Sequence, residues 1–155
     1  MTRIKNNGQG GISSRIDGSI VKPKGGGIYG NIHCLFAQDS NGQDYFTIGY
    51  SNDKNNTYKS IRIVALNINY LTMAAGRVFD LATEKNSESY AEYTLTSDNF
   101  NEDRYKTNSI QKGELKILFY DKDRRIITGT FWFDAINSDG KIVKVTAGRF
   151  DTTVN

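Results

Sequence analysis

Short runs in which Ile, Val, Leu, Phe or Tyr alternate with polar residues recur along this chain, broken every ~8–12 residues by turn-forming clusters. Alternation at period two is the pattern of a half-buried strand, because successive side chains point to opposite faces. It predicts strands near 12–16, 19–22, 31–37, 44–50, 59–66, 77–82, 89–95, 113–120, 125–135 and 141–150. The breaks are Asp17-Gly18, Gly25-Gly26-Gly27, Ser40-Asn41-Gly42, residues 51–56, residues 121–124 and Ser138-Asp139-Gly140. Gly, Asn and Asp dominate them because they tolerate the backbone angles that tight turns need. Long helical periodicity is absent; residues 69–75 are read as one or two helical turns ended by Gly76. The expected fold is all-β: a single antiparallel domain over 12–155, mostly meander, a β-sandwich or flattened barrel of about 8–10 strands. The polar, glycine-rich residues 1–11 are expected to form a flexible N-terminal tail.

The last three strands can be read at the level of register. Leu115, Ile117 and Phe119 share one face of their strand, and Ile127, Gly129, Phe131, Phe133 and Ala135 share one face of the next. With strict alternation, these sets meet only across a loop with an odd number of residues, such as Lys122-Asp123-Arg124. The following turn suits a type I turn with Gly140 left-handed, pairing Asn137 with Lys141, Ala135 with Val143, Phe133 with Val145 and Phe131 with Ala147. It sets Asp134 beside Lys144 and Trp132 beside Thr146 on the other face, and a bulge at Gly148 is needed to return Phe150 to the core.

Composition narrows the chemistry. The chain has 155 residues, 37% of them hydrophobic, with a formal net charge of +3. That length suits one domain, and the small surplus of positive charge does not suggest a nucleic-acid partner. The longest apolar-leaning stretch, residues 61–75, is interrupted by Arg62, Asn67 and Asn69, so no transmembrane segment is expected. One cysteine, Cys34, and one histidine, His33, exclude an intrachain disulfide and most His- or Cys-based metal sites. As strand neighbours they face opposite ways, so they do not form a nucleophile–base pair; Cys34 is read as a buried small side chain. No metal, cofactor or catalytic residue is assigned. The carboxylates lie in turns or polar stretches, and Asp121-Lys122-Asp123 lacks the glycine and distal glutamate of an EF-hand loop. Gly25-Gly26-Gly27 has no Gly-Lys-Ser/Thr sequel and is read as a connection, not a phosphate cradle.

The aromatics are more informative. Tyr45 and Phe46 face opposite ways, as do Tyr90 and Tyr93. On the hairpin formed by the 113–120 and 125–135 strands, the face away from the expected core gathers Leu118, Tyr120, Ile126 and Trp132. A solvated face does not ordinarily collect four large apolar groups. They are covered by a second layer, such as the 69–75 turn, or they form a binding surface, and these four residues are the candidate site.

Residues Gly129-Thr-Phe-Trp-Phe-Asp-Ala135, the Asp139-Gly140 turn, and Val143-x-Val145-x-x-Gly148-Arg-Phe150-Asp151 carry a resemblance. So do Ile16-Asp17-Gly18 through Pro23-Lys24-Gly25, Gly76-Arg-Val-Phe-Asp-Leu81 and Gly113-Glu-Leu-Lys-Ile117. The chain resembles a family of uncharacterised Bacteroidota lipoprotein domains, classed only as a domain of unknown function. The resemblance implies a cell-envelope location, periplasmic or associated with the outer membrane. The lipoprotein signal is absent from this chain, and without the resemblance the protein would be read as cytoplasmic. The functional expectation is a non-catalytic cell-envelope interaction module with a protein or glycan partner. Two alternatives are a calycin-like β-barrel carrying a small apolar ligand and a carboxylate-dependent glycan hydrolase.

Overall fold

The computed structural model describes residues 1–25 and 30–155, so Gly26 and Gly27 of the glycine run lie outside the described residues. Eleven strands follow in chain order: β1 (Gly11–Ile16), β2 (Ser19–Val21), β3 (Ile32–Gln38), β4 (Asp44–Lys54), β5 (Thr57–Leu66), β6 (Val78–Leu81), β7 (Tyr90–Thr96), β8 (Glu102–Lys106), β9 (Gly113–Asp121), β10 (Ile126–Ile136) and β11 (Ile142–Thr153). They form one antiparallel sheet in the order β2-β1-β11-β10-β8-β7-β5-β4-β3, with β9 on β10 and β6 on β9 as a branch. The sheet is not closed into a barrel. The all-β, antiparallel reading therefore holds, while the flattened barrel, and the barrel of the calycin-like alternative, is not the architecture.

Instead the sheet curls so that the inner faces of its two ends share one core. The Tyr50 hydroxyl on β4 reaches Ser14 Oγ on β1 at 2.7 Å and donates to the Val21 carbonyl of β2 at 3.2 Å. The Phe36 ring on β3 meets Tyr120 on β9 at 6.0 Å, in a T-shaped contact. Around these contacts, Phe46, Ile48, Ile61, Ile63, Leu115, Ile117, Ile127, Phe133 and Phe150 are fully buried. At the sheet's margins Lys24 N–H donates to Ser51 O at 3.2 Å and Asp53 N–H to Lys24 O at 2.8 Å. These bonds hold the two ends close without making the sheet continuous.

Phe131 and Phe133 point inward as expected, but the route differs. Ile126 pairs with Asp121, so the β9–β10 connection is residues 122–125, an even loop and not an odd one. Parity is restored inside β9: Thr128 opposes Phe119 while Gly129 opposes Ile117, leaving Leu118 as the extra residue of a bulge. Leu115 and Ile117 therefore keep the core face. Beyond the bulge the alternation inverts, so Tyr120 opposite Ile127 packs on the core, and Phe119 opposite Thr128 takes the other face.

The β10–β11 turn has the expected pairs Asp134–Lys144, Ala135–Val143 and Phe133–Val145. Phe131 opposes Gly148, however, and not Ala147. The added residue lies at 146–147, where Ala147 has φ +50°, just before the expected position, and it carries Phe150 into the core as the pattern required. Gly129 opposes Phe150 and Phe131 opposes Gly148, so each glycine lies beneath the other strand's ring. A Cβ on Gly148 would stand 2.4 Å from Phe131 Cδ2, and one on Gly129 would stand 2.5 Å from Phe150 Cζ. The two rings settle at 6.5 Å.

Three further observations concern the connections. Strand β8 was not expected; it pairs with β7 along its length and with β10 only at Ile136–Lys106. Residues 69–77 make two successive turns: Met73 N–H donates to Asn69 O at 2.9 Å, one helical turn as expected, Arg77 N–H donates to Ala74 O at 3.4 Å, and Asn69 Oδ1 accepts from Leu71 and Thr72. The segment expected to be a flexible tail is tied down. The buried Asp151 carboxylate accepts the Lys5 and Gly8 N–H groups, each at 2.7 Å, and Ser13 Oγ accepts Thr2 N–H at 2.7 Å.

Candidate functional site

The structure divides the four residues picked from the sequence. Trp132 and Leu118 are exposed, at 45% and 43%, whereas Ile126 is 6% exposed. Gly8 lies against Ile126, and Asn6 Oδ1 accepts the Thr128 hydroxyl proton at 2.9 Å, so the N-terminal segment is the second layer over that end of β10. Tyr120 is turned inward by the Leu118 bulge. Trp132 opposes Glu114, with the Lys116–Thr130 pair standing between that position and the Leu118 bulge. The four do not form one patch.

Tyr120 instead belongs to a cleft of about 510 Å³ at the end of the curled sheet, lined by Phe36, Tyr70, Tyr120, Lys122, Asp123 and Arg125 among others. Its floor grows out of the core. Phe36 packs on Phe46 at 5.0 Å and on Tyr120 at 6.0 Å, yet both Phe36 and Tyr120 stay partly open. The Tyr120 hydroxyl donates to the Tyr70 carbonyl at 3.0 Å, fixing the 69–73 turn as one wall. Tyr70 and Leu71 on that turn are 54% and 64% exposed. Partial burial, followed by the nearby Cys34, pushes the Tyr120 phenol upward, while Arg125 pulls it down. The opposite wall is the β9–β10 loop. There Asp121 binds the Arg124 guanidinium at 2.6 Å and accepts its N–H at 2.9 Å. Arg125 adopts φ +56° and its carbonyl accepts the Val154 N–H at 2.8 Å. The volume is in the range of small-molecule sites, roughly 300–1,000 Å³.

Residues 35–153 match the family described as domain of unknown function DUF6252. The chain belongs to that family. No curated protein and no solved structure matches it. The matched span runs from within β3 to the end of β11 and contains every lining residue named above. The 16–25 motif falls before it. Within the span, the motif residues Gly129, Phe131, Gly148 and Phe150 form the reciprocal glycine–ring pairs, so that signature is a packing device between β10 and β11.

Other clefts are present. One of about 330 Å³ on the outer face of β4, β5 and β7 brings Tyr45, Arg62 and Tyr90 together with Asp39 and Glu84. Both tyrosines lie opposite their neighbours Phe46 and Tyr93, which are in the core. Two carboxylates in one cleft are what a glycosidase needs, but one of them must be an acid with a raised pKa. Glu84 goes the other way: Lys106, bonded to it at 3.0 Å, holds its carboxyl below the usual range. Asp39 Oδ1 accepts the Asn41 and Gln43 N–H groups and shapes the turn. A cleft of about 550 Å³ under residues 1–11 is walled by the N-terminal segment and by Lys22 and Pro23.

Cys34 is fully buried, and burial pushes its thiol up to about 12. His33 on the other face has its pKa lowered by partial burial and then by Arg62. Among the described residues, His, Cys, Asp and Glu do not gather in groups of three or more that could hold a metal ion. Among the described residues no helix is long and apolar enough to cross a membrane.

Proposed function

We propose that this domain is a non-catalytic binding module that holds the apolar part of a ligand in the cleft between Phe36, Tyr70 and Tyr120. One observation carries the reading: two aromatic rings of the core floor remain partly open in a cleft whose wall is already fixed by the Tyr120–Tyr70 hydrogen bond. Such a site costs little ordering on binding, because its rings are held by packing before a ligand arrives. The cell-envelope location belongs to the same proposal and rests on the lipoprotein-like motifs.

The test is titration with N-phenyl-1-naphthylamine, a neutral apolar fluorophore. The expected result is saturable enhancement at one site per chain, lost in Tyr120→Ala and weakened in Tyr70→Ala, with far-UV circular dichroism unchanged. Trp132→Ala should leave it intact. Absence of saturable binding, or loss of binding with Trp132→Ala and not with the cleft variants, overturns the proposal.

A further inference from the structure

The rim of this cleft carries charge that its apolar floor does not explain. Of the charged groups on the 121–125 loop, Asp121 and Arg124 neutralise each other at 2.6 Å. Lys122 and Arg125 make no ion pair among the described residues, although both line the cleft. Asp123 also lines it, beside Val154 and Asn155, so among the lining side chains two cations stand against one carboxylate. Arg125 is also the loop residue with φ +56°, a conformation that Gly or Asn adopts at lower cost. A long cationic side chain therefore stands where a glycine would be the conformationally cheaper choice. Arg125 lines the same cleft as Phe36, Tyr70 and Tyr120, and its charge pulls the Tyr120 phenol downward.

We infer that the cleft selects small organic anions with a planar or aliphatic body, the body lying against Phe36, Tyr70 and Tyr120 and the anionic group meeting Arg125 and Lys122. This rests on the binding-module reading and names its ligand class. Arg125 is the better anchor of the two, because a guanidinium presents paired donors to a carboxylate or sulfonate. Charge selection of this kind weakens with added salt, whereas apolar packing in the cleft does not.

The experiment compares 8-anilino-1-naphthalenesulfonate with N-phenyl-1-naphthylamine, which has the same ring system without the sulfonate. The sulfonate should bind about tenfold more tightly, and Arg125→Gln should remove that advantage while changing neutral binding less than twofold. Arg125→Lys should restore part of it. Lys144→Gln, which removes the same charge from the outer face of β11, should leave both affinities unchanged. Equal binding of the two probes, or a sulfonate affinity indifferent to Arg125→Gln, overturns anion selection and leaves the cleft as a neutral apolar site. If neither probe binds, the binding-module reading falls as well.

Discussion

Gly148→Ala probes the interlock between β10 and β11 most sharply. The new Cβ would stand 2.4 and 2.5 Å from Phe131 Cδ2 and Cε2, and 2.5 Å from the Phe131 carbonyl oxygen. Carbon atoms in ordinary contact stand ~3.5–4.0 Å apart. Phe131 must therefore retreat by more than about 1 Å in a core where it is 2% exposed, and its backbone, fixed in the ladder, cannot follow freely. Overpacking of this kind costs roughly 1–3 kcal/mol. The lost glycine flexibility of the unfolded chain returns about 0.4–1 kcal/mol. The net expectation is a loss of about 1–2 kcal/mol, which lowers the urea midpoint by roughly 0.5–1 M at an m-value near 2 kcal/mol/M. Equilibrium urea unfolding by circular dichroism reads it. Phe131→Leu in the same chain should relieve the clash, so the double variant loses less than the sum of the two single losses. A neutral or stabilising Gly148→Ala, or simple additivity with Phe131→Leu, would refute the interlock.

The remaining predictions concern single side chains. Phe133→Ala should cost about 3–5 kcal/mol, as for a fully buried ring, while Trp132→Ala, starting 45% exposed, should cost less than half as much; parallel urea unfolding curves decide. Asp151→Ala strips the acceptor from the Lys5 and Gly8 N–H groups, costing about 1–3 kcal/mol and speeding tryptic cleavage after Arg3 and Lys5; unchanged cleavage would contradict the tethered segment. Cys34 and Tyr50 both have pKa values raised to about 12 by burial. Their stabilising contributions are therefore complete below the unfolded values near 9 and 10 and are lost as pH rises toward about 12. Unfolding midpoints should fall across that window, less steeply in Cys34→Ala, and native Cys34 should resist thiol reagents at pH 8.

How far the sequence went depends on what each feature rests on. Strand positions and the inward set Phe131, Phe133, Val143 and Val145 follow from alternation plus burial, both local properties. The loop parity did not follow, because the β9 bulge at Leu118 leaves no mark in the alternation, whereas the β11 bulge was legible from the need to bring Phe150 inward. Leu118 and residues 146–147 each add one residue and turn the rest of the strand over. That inversion is why Tyr120 moved from the outer set to the cleft floor, while Trp132, on the unbulged β10, stayed where the alternation put it. Strand β8 was missed because Glu-Asp-Arg-Tyr-Lys offers only Tyr105 to the core, and its place comes from backbone pairing with β7. The cleft itself joins β3, the 69–73 turn and the β9–β10 loop. Their meeting depends on the curl of the sheet, which no run of neighbouring residues encodes. The family signature was legible for the same reason as the core: its glycines and rings are cross-strand partners on adjacent strands.

Intermolecular NOEs between bound N-phenyl-1-naphthylamine and the protein's aromatic protons test the location of binding most directly. Cross-peaks from the naphthalene ring to Phe36, Tyr70 and Tyr120 are the expected result. Cross-peaks to the Trp132 indole, with none to those three rings, would contradict it and move the binding surface to the outer face of β10.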